Sequence, residues 1–97
     1  MTQQISLQEA IDLVSLMKEN PVTGLPVSET FNADIINAIL KSPGCVSLRI
    51  YPGMKTDGSI VFVLSGADNE GNDITDVLGE DGFRCPPACP AQSSLYL

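Results

Sequence analysis

Ninety-seven residues are enough for one small domain and too few for a second hydrophobic core. At 43% hydrophobic, with three Phe, two Tyr and no Trp, the chain has apolar matter enough to fold, around an aliphatic core. Twelve acidic residues against five basic give a net charge of −7; such a surface repels phosphate backbones and anionic headgroups, and weighs against nucleic-acid and membrane partners.

The first residues, MTQQISLQEAID, lack the basic start and apolar run of a secretory signal, and no stretch approaches membrane-spanning length. The expected location is the cytoplasm, where thiols stay reduced. Three cysteines fit that expectation, since an odd number cannot all pair within one chain.

ISLQEAIDLVSLMKEN predicts a helix. Ser6 and Glu9 stand as a capping box, and Leu7, Ala10, Ile11, Val14 and Met17 recur as one stripe for burial, widened by Leu13 and Leu16. Lys18 suits the negative end of the helix, and Asn20-Pro21 stops it. PVTGLPVSET, with two prolines and a glycine, reads as a loop. A second helix is predicted over FNADIINAILK, with Asn32 as N-cap and Phe31 packing on Ile36. Ile35, Ile36, Ile39 and Leu40 form its core face, and Pro43-Gly44 ends it.

The period then changes to two. In CVSLRIY, Val46, Leu48 and Ile50 take one face while Ser47, Arg49 and Tyr51 take the other. PGMKTDG is turn chemistry, and SIVFVLSG is a second strand whose two faces are both apolar, as in a central strand. ADNEGND turns the chain again, and DITDVL returns as a third strand. The expected fold is α+β, with two N-terminal helices packed on a three-stranded antiparallel sheet in the order α-α-β-β-β. Residues 1–84 would form this single domain and 85–97 a tail containing Pro and Cys. The second sheet face, bearing Val61 and Val63, needs cover from the tail or from a second copy.

Several chemistries are disfavoured. The chain has no histidine, which removes Ser-His-Asp and Cys-His pairs and every His-containing zinc site. No catalytic constellation is recognisable. Gly53 and Lys55-Thr56 miss the phosphate-loop spacing. The Asp68–Asn72 turn lacks the glycine and glutamate that a calcium loop of the helix-loop-helix type places at its sixth and twelfth positions. No cofactor is therefore expected. The cysteines stay open. A bond between Cys85 and Cys89 needs their Cα atoms within about 7 Å, and the intervening prolines favour an extended path unless the chain bends sharply at Pro87-Ala88. Cys45 could join them as a third thiolate, although a closed zinc site wants four ligands. Arg84, next to Cys85, is one group that would favour a thiolate. The plainer alternative makes Cys45 a small buried hydrophobe and CPPACP a stiff end.

The stretches ISLQEA, ETFNADIINAILKSPGCVSLRIYPGM, GADNEGNDI and CPPAC together resemble a family of small uncharacterised bacterial proteins, each of about 100 residues, one domain's length. The resemblance implies that the PGC turn, the Arg49-Ile50-Tyr51 strand end and the CPP tail belong to one design. It implies no activity and no catalytic residue.

Two functional expectations follow. The first is a cytoplasmic, non-enzymatic interaction module, with a homodimer as one form. Its contact residues would be Arg49, Tyr51, Val61 and Val63 on the sheet, or Leu95, Tyr96 and Leu97 at the apolar end of the tail. The second is a metal-binding or redox-sensing thiol site in which Cys45, Cys85 and Cys89 converge. An acidic mimic of a polyanion is weaker, because its carboxylates are spread over several turns.

Overall fold

The computed structural model describes residues 3–96. Its elements run α1 (Leu7–Glu19), β1 (Ser28–Thr30), α2 (Ala33–Leu40), β2 (Ser47–Met54), β3 (Ile60–Ala67), β4 (Asp73–Gly79) and β5 (Phe83–Cys85). The class is α+β with antiparallel strands throughout. Two features correct the predicted order. A short strand separates the helices, and there are two sheets: β2-β3-β4 and the two-stranded β1-β5.

The larger sheet follows the residue pattern. β3 is its central strand, and the β2–β3 register pairs Arg49 with Ser65, Tyr51 with Val63 and Gly53 with Val61. Cross-strand partners share a face, so these six side-chain positions line one side while Leu48, Ile50, Leu64 and Gly66 line the other. β2 runs further than the sequence suggests. Pro52-Gly53-Met54 continue the strand, which an edge strand tolerates because the missing proline N–H faces away from the ladder. The turn is confined to the residues after them, where Gly58 takes a φ of +91° and the Ser59 N–H donates to Asp57 Oδ1 at 2.9 Å. The β3–β4 turn is closed by Asp68, whose Oδ1 accepts from the backbone N–H groups of Glu70 and Asn72, both at 2.9 Å. That acidic turn spends its first carboxylate on its own backbone, as Asp residues in turns commonly do.

α2 begins after Asn32 as predicted, although the Asn32 side chain makes no capping bond. It covers the Leu64 face. Ile39 is fully buried and sits where two sheet glycines leave room. A Cβ on Gly66 would lie 2.8 Å from Cys45 Sγ and 3.5 Å from Ile39 Cγ2; one on Gly79 would lie 3.0 Å from Ile35 Cγ1. The helix reaches van der Waals contact with the strands because those side chains are absent. Leu40, expected in the core, is exposed.

α1 forms where the pattern places it. Ser6 and Glu9 exchange both bonds of the capping box, at 3.0 and 3.2 Å, and Asn20 caps the other end. Its burial is the main correction, because no residue of α1 is buried. Ala10 and Ile11 are half-covered, while Leu7, Leu13, Val14, Leu16 and Met17 are exposed. The loop after the helix docks in its place. Gly24, at φ +85°, accepts at its carbonyl from the Ile60 N–H at 2.9 Å, beside the start of β3. This tether holds Gly24 at the edge of the sheet, with Leu25 and Pro26 half-covered beside it, while no residue of α1 is buried. The radius of gyration records the result: 14.9 Å, against about 12.5 Å for a closed domain of this length.

Candidate interaction surface

On the sheet face opposite α2, three side chains form a clasp across β3. Arg49 on β2 donates to Asp73 on β4 at 2.6 Å and to the Gly71 carbonyl at 3.0 Å, and the Tyr51 hydroxyl donates to the other Asp73 oxygen at 2.6 Å. The Tyr51 bond, helped by the Arg49 charge, holds the Asp73 carboxyl below its usual range, and Asp73 in turn raises the Arg49 guanidinium. Ser65 lies buried beneath, close enough to help lower Asp73, yet with its hydroxyl not in hydrogen-bonding geometry with any partner. A carboxylate held down by two donors is a poor proton acceptor at neutral pH. The clasp therefore covers the centre of the sheet and offers little as a base. Arg49, Tyr51, Val61 and Val63 do share one face, as the alternation requires. Val61, however, is covered from within the chain at 7% exposure, so it is unavailable as a contact residue.

A second polar group ties the two sheets together. Glu29 on β1 and Arg84 on β5 are direct cross-strand partners. The Arg84 guanidinium reaches Glu29 Oε1 at 3.3 Å, the Gly24 carbonyl at 3.1 Å and the Ile60 carbonyl. The Glu29 side chain is 3% exposed, and its Oε2 has no partner. Arg84 thus spends its donors on holding the loop and β3 to the small sheet. Neighbouring residues of a strand point to opposite faces, so its charge is directed away from Cys85.

The cysteines divide into a pair and a single thiol. Cys85 and Cys89 form a disulfide, with Cα atoms 4.7 Å apart and cis peptide bonds at both Cys85-Pro86 and Pro86-Pro87. The chain bends back on itself through the two prolines, and the extended path read from the sequence is not taken. Cys85 is buried at the end of β5, and Cys89 is half-exposed beside Ser28, Thr30 and Phe83. Cys45 is free and half-buried; its Sγ donates to the Ser47 carbonyl at 3.3 Å. The three do not gather. Among the described residues no group of three or more His, Cys, Asp or Glu could hold a metal ion.

One further surface is apolar. The C-terminal half of α1, the loop and the tail enclose a groove lined by Val14, Met17, Val22, Val27, Leu95 and Tyr96, with Lys18 also at its wall. All six of those apolar residues are exposed. Leu13 and Leu16, at 64% and 61% exposure, are outside its lining on the same helix, Leu13 about 40° round the axis from Met17 and Leu16 about 100°. Leu95 and Tyr96 were expected as contact residues and lie here; Leu97 falls outside the described residues. Leu13, Leu16, Val22 and Val27 were missed, because the stripe reading assigned α1 inward and the loop was not read for apolar side chains. No helix among the described residues is long and apolar enough to cross a membrane. Comparison with family models, curated proteins and solved structures finds no match to this chain.

Proposed function

We propose that the protein is a small, non-enzymatic interaction module whose contact surface is the apolar groove and the adjoining face of α1. The observation that carries this reading is a 13-residue amphipathic helix with no buried residue. Isolated helices of that length are marginal in water, so α1 owes its persistence to packing, and its own chain supplies little. The sheet clasp of Arg49, Tyr51 and Asp73 is satisfied within the molecule and is left out of the contact surface. Partners are proteins; with a charge of −7, nucleic acid and anionic membranes are disfavoured. The test is a photo-crosslinking amino acid placed at position 13 of the full chain in its own cell, with position 12 as control. A discrete protein adduct from position 13 and none from position 12 is expected. No adduct from either position overturns the reading.

A second reading is favoured by the Cys85–Cys89 bond alone: a redox-responsive tail, without Cys45. Half-exposed Cys89 is the sulfur a thiol would reach. The compartment is tied to the same pair, because a reducing cytoplasm opens the bond and an oxidising compartment keeps it. Alkylation of the purified, unreduced chain separates the two: three reactive thiols place it in a reducing setting, and one places it in an oxidising setting.

A further inference from the structure

We infer that the occupant of this groove is a second copy of the chain, in a two-fold dimer where each copy's α1 leucines fill the other's groove. The inference rests on the interaction reading above and names its partner.

Area is the first argument. A closed monomer of 10.3 kDa exposes about 5,350 Å² by the scaling of surface with mass. This chain exposes 7134 Å², an excess of about 1,800 Å². Permanent homodimers bury roughly 2,000–5,000 Å² in total, or about 1,000–2,500 Å² from each partner. The excess falls within that range and is well above the roughly 800 Å² per partner of a standard-sized interface. The excess belongs to the chain as a whole, with α1 and the groove among its exposed parts; an interface of the permanent class is large enough to remove it, and another copy is always present in equal amount.

Reciprocity is the second. A two-fold interface requires one patch to carry both complementary parts, because residue i meets j while j meets i. This patch does so. Leu13 and Leu16 are exposed on α1, and from Leu13 the helix surface runs through Met17 into the groove lined by Val22, Val27, Leu95 and Tyr96. A foreign partner would have to supply its own complement.

Charge is the third. The groove wall carries one ionic side chain, Lys18. The helix that presents Leu13 and Leu16 carries Glu9 and Asp12 one turn earlier, at the i−4 position of each leucine, where they share its face. Seating the leucines therefore brings two carboxylates toward the partner's single cation. The arrangement is sign-matched although the chains as wholes repel.

The experiment is light scattering on size-exclusion chromatography of the full chain over a concentration series. The expected mass is twice 10.3 kDa. Leu13→Glu with Leu16→Glu should return the monomer mass with an unchanged far-UV spectrum, and Lys18→Glu should weaken the dimer about tenfold at low salt. Ile50→Glu, on the exposed sheet edge, should leave it intact. A wild-type chain that stays monomeric at about 100 μM overturns the inference, as does a double variant that stays dimeric. Should the double variant unfold, hydrogen exchange on the wild type decides: α1 amides gain protection with concentration in a dimer and do not otherwise. A monomer that still gives a foreign adduct at position 13 removes self-pairing and keeps the module; a monomer with no adduct removes both.

Discussion

Ile39 and Leu13 make a paired test of where the core lies, because replacing either by alanine deletes the same three carbons. Ile39 is fully buried between α2 and the sheet. At about 0.8 kcal/mol per buried methylene, the lost transfer energy is about 2.4 kcal/mol. The cavity adds to this, because Gly66 and Gly79, which face Ile39, have no side chains to move into the space; about 3–4 kcal/mol in all is expected. Against a total stability of about 5–15 kcal/mol for a domain of this size, the melting temperature should fall by roughly 15–30 °C. Leu13, at 64% exposure, should cost under about 0.5 kcal/mol in the monomer. Any larger cost should grow with protein concentration, since it would come from the partner. The assay is thermal unfolding by circular dichroism at two or more concentrations. A Leu13→Ala loss equal to or above that of Ile39→Ala, independent of concentration, would show that α1 packs on its own sheet and would refute the arrangement described.

Arg84→Met should destabilise the chain by about 3 kcal/mol in urea unfolding, because it leaves the buried Glu29 carboxylate without its cation. Adding Glu29→Met should recover most of that loss, and failure to recover would mean that the backbone bonds of Arg84 matter more than the charge pair. Tyr51→Phe removes the first cause of the lowered Asp73 value, so the Asp73 carboxyl should titrate closer to the ordinary value of about 3.9. The sign follows from linkage. A carboxylate depressed in the folded state contributes stability above its unfolded value and loses it as pH falls through the folded one. Wild type should thus hold this contribution to lower pH than the variant, and identical Asp73 titrations by NMR would count against the clasp. Gly24→Ala should cost at least about 2 kcal/mol, since φ is +85° and a Cβ would meet the Gly58 carbonyl at a position where L-residues already pay about 1–2 kcal/mol.

The strands of the larger sheet were legible because alternation survives wherever one face is covered. Arg49 and Tyr51 fell on the Val61 and Val63 face for that reason. The capping box was legible because its signal is local, four residues long and chemically specific. β1 and β5 were not, since three residues carry no period, and the Glu29–Arg84 pair that marks them is 55 residues apart in sequence. Asp73 closes the predicted turn and opens the predicted third strand, and nothing local shows the register that sets it opposite Ala67 within reach of β2. The disulfide stays open in the sequence because Pro86 and Pro87 favour an extended path unless the chain bends sharply, and residue types alone do not show that it bends back.

α1 differs from these elements, because its apolar stripe forms where the spacing predicts and its own sheet does not cover it. Periodicity reports that a helix face must be covered and is silent on which chain covers it. Breadth is more informative. At 100° per residue, Leu7, Ala10, Ile11, Leu13, Val14, Leu16 and Met17 sweep an arc of about 220°, twice the roughly 100° stripe that one underlying layer occupies. Of the half-covered residues, Ile11 lies at one edge of that arc and Ala10 near its middle, while Leu13 and Leu16 lie toward the other edge. Closing α1 down onto its own sheet would bury the first edge more deeply and still leave the second in water. The need for a second covering surface therefore comes from the width of the apolar arc, and it would persist if the helix settled closer to the strands than it does here.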